Sequence, residues 1–220
     1  MIITIDGPAG SGKSTAARRL ANELGLAYLD TGATYRAATL KALREGVELT
    51  DESALASLVR QADIRLTPLP DGVRVSLDGQ DVSREIRSPE VSDNTHYLAR
   101  SSRVREVLVE LQRRLGRELG SFVTEGRDQG SVVFPEADFK FYLDATAEVR
   151  ALRRYHEMME DGQDANYLST LQGIIERDGR DRTRAVAPLI CPDDAYALDT
   201  SEMSIEEVVR ELRRLVEQET

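Results

Sequence analysis

Along the chain, short apolar runs alternate with longer stretches of helical spacing. Ile2–Asp6 reads as a buried strand, Lys13–Leu24 as a helix stopped by Gly25, Leu26–Leu29 as a short strand, and Ala33–Arg44 as a helix ending near Gly46. Ser121–Glu125 and Phe139–Asp144 read as two more buried strands and Ala195–Leu198 as a fifth, with helices over Ala147–Glu160, Tyr167–Arg177 or somewhat beyond, and Ile205–Glu217. This alternation predicts an α/β fold, three-layered α/β/α around a five-stranded parallel sheet. One stretch breaks the rhythm. Over Asp63–Val82 the period is two around Pro68, Pro70, Asp71-Gly72 and Asp78-Gly79, which predicts a small antiparallel β insert on the edge of the main sheet. The whole of 1–220 is expected to be a single domain.

Hydrophobic residues are 40% of the chain, enough for a core, and no apolar run approaches the ~18 residues of a membrane span. The chain opens directly on Met1-Ile2-Ile3-Thr4-Ile5 without a basic stretch, and Cys191 is its single cysteine. Both features point to the cytoplasm, with no membrane partner. The formal charge is -10, which argues against broad nucleic-acid binding. Yet 26 of the 29 basic residues are Arg, the exceptions being Lys13, Lys41 and Lys140. Any anion must therefore be captured locally by guanidinium groups.

Gly7-Pro8-Ala9-Gly10-Ser11-Gly12-Lys13-Ser14 matches G-x-x-x-x-G-K-[ST], between a strand and a helix. Such a P-loop turns backbone N–H groups and the positive end of a helix toward phosphates. Gly7 through Thr15 are accordingly expected to cradle ATP, with Lys13 on the β- and γ-phosphates and the Ser14 hydroxyl on Mg²⁺. Glu125, ending its strand beside the loop, is a second candidate toward Mg²⁺ through water. No Asn-Lys pair and no Leu-Ser-Gly-Gly-Gln occurs, which removes GTPases and transporter ATPases and leaves a kinase of a small acceptor.

Three groups supply candidate acceptor contacts. Asp30-Thr31-Gly32-Ala33-Thr34-Tyr35-Arg36 enters a helix with a free hydroxyl and backbone, and Gly126-Arg127-Asp128 follows a strand at its carboxyl end, where ligands of open α/β sheets bind. In Glu176–Arg184, Arg177, Arg180 and Arg184 fall at i, i+3 and i+7, so a continuing helix puts three like charges on one face. Gly179 weakens that helix, and a solvated helix end salt-bridged through Asp178 and Asp181 is the alternative to anion binding.

Gly-Pro-x-Gly-x-Gly-Lys-Ser, Asp-Thr-Gly-Ala-x-Tyr-Arg, Gly-Arg-Asp-x-Gly-x-Val-Val-Phe-Pro and Arg-Asp-x-Arg-Asp-x-x-Arg-x-x-x-Pro-Leu occur here in order. Together they resemble the bacterial-type cytidylate (CMP) kinase family over essentially the full length. The resemblance implies a P-loop kinase fold, a β-rich insert in the acceptor region and a mobile lid. It implies transfer of the ATP γ-phosphoryl group to CMP or dCMP. It places Lys13, Arg36, Arg127, Arg177 and Arg184 around the phosphates, Asp181 on the sugar, Arg105 and Asp128 on the cytosine edge, and Thr31 and Tyr35 along the site. A carboxylate at 128 accepts from a cytosine amino group and repels the uracil carbonyl. Where the family has a small hydroxyl residue, this chain has His96, so that contact passes to His96 or to Thr95. His156 is expected at the surface. The polar stretch 160–168, preceded by Arg150, Arg153 and Arg154, is the expected lid. A monomer is expected, and kinases of UMP, AMP or a shikimate-like acceptor, or a nucleotide-binding regulator, stand as alternatives.

Overall fold

A computed structural model describes residues 1–69, 72–160 and 162–219. In chain order the elements are β1 (Ile2–Asp6), α1 (Lys13–Leu24), β2 (Ala27–Asp30), α2 (Thr31–Arg44), α3 (Glu52–Gln61), β3 (Ile64–Leu69), β4 (Gly72–Leu77) and β5 (Gln80–Asp81). There follow α4 (Pro89–Arg100), α5 (Ser102–Leu119), β6 (Phe122–Gly126), β7 (Phe139–Asp144), α6 (Ala147–Glu160), α7 (Tyr167–Thr183), β8 (Tyr196–Asp199) and α8 (Ile205–Glu219).

The main sheet runs β2-β6-β1-β7-β8 with every pair parallel. Parallel strands are covered on both faces, and the side-chain alternation shows it. Ile3, Ile5 and Val123 pack with Ala17 and Leu20 of α1 and Leu212 of α8. On the opposite face Leu29 and Phe122 pack with Leu115 of α5 and Phe134. Gly116 permits that approach, because a Cβ there would stand 2.9 Å from both Phe122 and Phe134 rings. The three layers and five strands are those the sequence predicts.

The helix ends follow local chemistry. Asp30 caps α2 by accepting from Ala33 N at 2.9 Å, and Ser101 caps α5. Ser204 and Glu207 exchange side-chain and backbone hydrogen bonds as a capping box at the start of α8. Gly25 closes α1 in the left-handed conformation.

Several expectations need correction. The short strands lie one residue later than predicted, at Ala27–Asp30 and Tyr196–Asp199, and α2 begins at Thr31 because Asp30 is the cap. The insert, by contrast, sits where expected, at the β2 edge of the main sheet. β3, β4 and β5 form their own antiparallel sheet beside β2, packed through Ile64, Val75 and Leu77 against Ala38, Leu55 and Val59 in a second core shared with α2 to α5. Gly179 does not interrupt α7, which continues to Thr183. Pro70 and Asp71 of the predicted turn, and Asp161 of the predicted lid, lie outside the described residues. Among the described residues, no helix is long and apolar enough to cross a membrane.

Candidate active site

The loop from β1 to α1 wraps too tightly for side chains. At Gly7, with φ +154°, a Cβ would stand 2.1 Å from the Leu143 carbonyl oxygen, and Gly12 enters α1 at φ +82°. Lys13 opens α1, is 5% exposed, and donates from Nζ to the Pro8 carbonyl at 2.8 Å. Burial, and then the Arg127 charge, pull its pKa down to about 7. Ser11 Oγ is buried in the same loop with no hydrogen-bond partner, an orphan acceptor and donor facing the cradle.

Opposite the loop stand guanidinium groups from four segments. Arg127, just past β6, donates from Nε to Asp181 Oδ2 on α7 at 2.8 Å. Arg127, foremost, and then burial depress the Arg177 pKa to about 10. Burial pushes the Asp181 carboxyl up, but Arg127, Arg177 and Arg184 outweigh it and leave it below its ordinary value. Arg36 of α2 donates to both oxygens of Asp30, at 3.1 and 3.0 Å, and its Nε is buried without a partner. Deeper in, Asp128 is 5% exposed, paired with Arg105 of α5 and 3.6 Å from Arg184 Nη2. Arg105 also lies over the Tyr35 ring, 5.6 Å from its centroid. Burial, then Arg105, lower the Arg184 pKa, and Nη2 of Arg184 is likewise buried without a hydrogen bond.

Lys13, Arg36, Arg105, Arg127, Asp128, Arg177, Asp181 and Arg184 line one open cleft of about 1040 Å³ running from the phosphate loop to α4. Crowded, partly unpaired guanidiniums repel one another, so the cleft is electrostatically incomplete until polyanions enter it. Donor N–H groups at one end and forked cations at the other suit two phosphorylated ligands facing each other. The family model described as Cytidylate kinase matches residues 3–218. The chain belongs to the cytidylate kinase family.

Relatives agree across nearly the whole length. The cytidylate kinase of Desulforamulus reducens is 50% identical over 98% of this chain and 96% of its own. That of Caldanaerobacter subterraneus subsp. tengcongensis is 46% identical over 99% of this chain and 95% of its own, and that of Nocardia farcinica 45% identical over 100% and 94%. Among solved structures, an uncharacterized protein from Eubacterium ventriosum shares the fold, with a TM-score of 0.55 at 11% identity, covering 99% of this chain and 98% of its own.

Within this cytidylate-kinase chain, the cleft brings together Ala9 through Thr15, Thr31, Tyr35, Arg36, Arg105, Glu125, Arg127, Asp128, Arg177, Asp181 and Arg184. Gly7 and Pro8 support the loop from behind and do not line the cleft. The Thr31 hydroxyl is not free: it donates to the Glu125 carbonyl at 2.8 Å, which pins α2 to β6. Arg180 does not line the cleft as Arg177 and Arg184 do. It is exposed and its Nε donates to Glu176 O, while Arg184 lies past the helix end. Asp178 and Asp181 pair away from their own helix, with Arg150 and Arg127, so α7 does not end as a solvated self-paired helix. Of the two base-contact candidates, Thr95 lines the cleft together with Ser92 and His96 does not; its Nδ1 meets the Asp93 carbonyl at 2.6 Å. His156 is exposed, as expected.

Arg150 departs most from expectation. It is 3% exposed, with Nη1 on the Ala9 carbonyl at 2.9 Å, Nε on the Ala145 carbonyl at 2.8 Å, and Nη2 2.6 Å from Asp178. It braces the phosphate loop against α7. Asp6, the last residue of β1, is a second supporting group missed in the sequence: it accepts from Gln129 N at 2.9 Å and Gly130 N at 2.8 Å. Burial raises its pKa to about 7 against those two bonds. An acidic residue ending an apolar strand was the available signal.

Proposed function

We propose that this chain transfers the γ-phosphoryl group of ATP to CMP or dCMP, giving ADP and CDP or dCDP. The observation that carries this reading is the convergence of Arg36, Arg127, Arg177 and Arg184 on the cleft that Lys13 and the phosphate loop close at its other end. Membership of the cytidylate kinase family supports the choice of acceptor.

The acceptor phosphate is substantially dianionic at neutral pH, so its oxygen is a competent nucleophile without a protein base. It attacks the γ-phosphorus, the bond from that phosphorus to the β–γ bridging oxygen breaks, and ADP leaves. The obstacle is repulsion between two anions brought into line. Lys13 and the guanidiniums of Arg127, Arg177 and Arg184 neutralise that charge, and Arg36 seats the acceptor phosphate. The loop N–H groups from Ala9 to Thr15 hold the donor. Asp181, oriented by Arg127, accepts from a sugar hydroxyl, and Asp128 with Arg105 reads the cytosine edge while Thr31 and Tyr35 wall the acceptor in.

Ser14 and Glu125 are the residues that would hold Mg²⁺ beside the nucleotide phosphates. Among the described residues there is no cluster of three or more His, Cys, Asp or Glu to hold a resident metal. The exposed Ser14 hydroxyl and the Glu125 carboxylate beside it fit an ion that takes its remaining ligands from phosphates and water. Bound there, the ion supplies charge neutralisation between the phosphates.

Residues 162–166, which lead into α7 from the side of α6, serve as the lid. The insert over 63–82 belongs to the acceptor side: its Leu69, Gly72 and Val73 share a cavity of about 540 Å³ with Ser14, Arg36 and Glu125. Cys191, the single cysteine, is an exposed free thiol, which suits a reducing cytoplasm, and we take the protein to be a monomer. A coupled assay of CMP, dCMP, UMP and AMP with ATP and Mg²⁺ tests the reading. CMP or dCMP should lead the panel, and preference for another acceptor, or ATP hydrolysis indifferent to all of them, would refute it.

A further inference from the structure

We infer that Asp6 is a positioning residue for acceptor recognition, because its carboxylate fixes the backbone turn that carries Arg127 and Asp128. Asp6 does not touch the cleft. It is 2% exposed, and each of its oxygens accepts one backbone N–H, from Gln129 to Oδ1 and from Gly130 to Oδ2. Those two N–H groups open a π-helical turn over Gln129–Val133 and have no earlier carbonyl within the turn to bond. Behind Gly130 there is no room for a side chain, since a Cβ would stand 2.9 Å from Thr4 Oγ1 on β1. The turn therefore lies flat against β1.

On the other side, the parallel register pairs Asp6 with Gly126, so β6 holds the chain immediately before Arg127. Arg127 and Asp128 are thus a two-residue span. One end is fixed by the strand ladder and the other by the Asp6 carboxylate. Because Asp6 directly precedes Gly7, the same residue ties the acceptor-facing span to the phosphate loop.

The inference rests on the proposed roles of Arg127 and Asp128 toward the acceptor. It predicts an effect that Asp6 exerts only through them. Asp6→Asn is nearly isosteric but keeps one acceptor oxygen and turns an NH₂ donor against an N–H donor, so the turn must move. Steady-state kinetics should show the KM for CMP rising about tenfold, and the CMP-over-UMP preference falling about tenfold, for one charge-assisted hydrogen bond lost. The KM for ATP should stay within about twofold, the ordinary scatter for a residue outside the donor contacts.

Gly130→Ala provides a second route should Asp6→Asn fold poorly. Its Cβ presses on Thr4 Oγ1 and displaces the same turn without altering the carboxylate. The same selective loss is expected, with recovery when Thr4→Ala removes the opposing hydroxyl.

Unchanged KM for CMP and unchanged preference in both variants, whatever happens to thermal stability, would overturn the inference. So would a KM for ATP that rises as much as that for CMP. Asp128→Asn run in parallel separates the two levels: if it loses base preference while the Asp6 and Gly130 variants keep theirs, only the Asp6 inference fails. If Asp128→Asn keeps its preference, the base-reading role itself fails and the inference falls with it.

Discussion

Lys13 Nζ donates to the carbonyl oxygen of Pro8, five residues back in its own loop, at 2.8 Å. A single neutral acceptor compensates a buried ammonium poorly, and burial together with Arg127 lowers its pKa to about 7. Below that value the folded protein carries the buried charge at a cost. Between there and the ordinary 10.5 the folded state binds fewer protons than the unfolded chain, so this penalty is relieved as pH rises. Lys13→Met should therefore abolish phosphoryl transfer while raising the melting temperature at pH 6–7 by a few degrees, at roughly 2–4 °C per kcal/mol removed. The gain should shrink toward pH 10. Thermal melts across that range check it, and a gain that grows with pH would contradict the assignment.

Arg127, which lines the cleft, donates from Nε to Asp181 and from Nη1 to the Gly126 carbonyl. Its loss removes a cation from the transferring group and releases Asp181 as an unpaired acid. Arg127→Ala should lower kcat by about 10²–10³, as for other oriented transition-state donors. Arg127→Lys restores the charge without the fork and should recover only part of that. Circular dichroism alongside the kinetics guards against the trivial outcome, because a loss accounted for by unfolding would remove the catalytic role.

Sequence pattern reached the three layers and most of the charged residues that line the cleft, since the motifs sit at strand ends and helix starts where chemistry and backbone constraints coincide. It did not reach the second core. The inward face of α5 carries Val104, Leu108 and Leu115 but also Arg105 and Gln112, both buried, and these two break the apolar period. Their partners, Asp128 and Thr34, are distant in the chain, so nothing local marks them as interior. The insert was legible as an antiparallel unit at the sheet edge, yet its packing against α3, α4 and α5 was not, because those helices lay in the unread stretch. Arg177, Arg180 and Arg184 show the same limit: their spacing alone does not reveal that Arg177 and Arg184 border the cleft while Arg180 does not.

Arg150 and Asp178 are 4% and 7% exposed at their side chains, and Asp178 Oδ1 already lacks a partner. Arg150→Ala should leave that carboxylate buried and uncompensated, costing about 3–5 kcal/mol, or roughly 6–20 °C in melting temperature. The double replacement Arg150→Met with Asp178→Leu removes both charges and should regain much of the loss. The KM for ATP should stay elevated in both variants, since the bond to the Ala9 carbonyl is gone from each. Denaturant melts of the singles and the double form the test, and additive losses would show that the pair does not act as a unit.

Asp128 lies between Arg105 and Arg184, and a carboxylate so placed has its charge balanced twice over. That arrangement fixes the side chain in one orientation, and a carboxylate there accepts from a cytosine amino group and repels a uracil carbonyl. Alanine at 128 would leave two buried guanidiniums facing each other, confounding specificity with unfolding. Asn retains the shape and one acceptor oxygen while offering uracil a donor. Asp128→Asn should therefore reduce the CMP-over-UMP ratio of kcat/KM by about ten- to a hundredfold, the worth of one base-edge contact. Most of the change should appear as weaker CMP use with some gain for UMP, because the repulsive element is lost together with the attractive one. Paired kinetics with the two monophosphates at saturating ATP read this directly, and an unaltered ratio would move base recognition to Thr95, Ser92 or Arg105 instead.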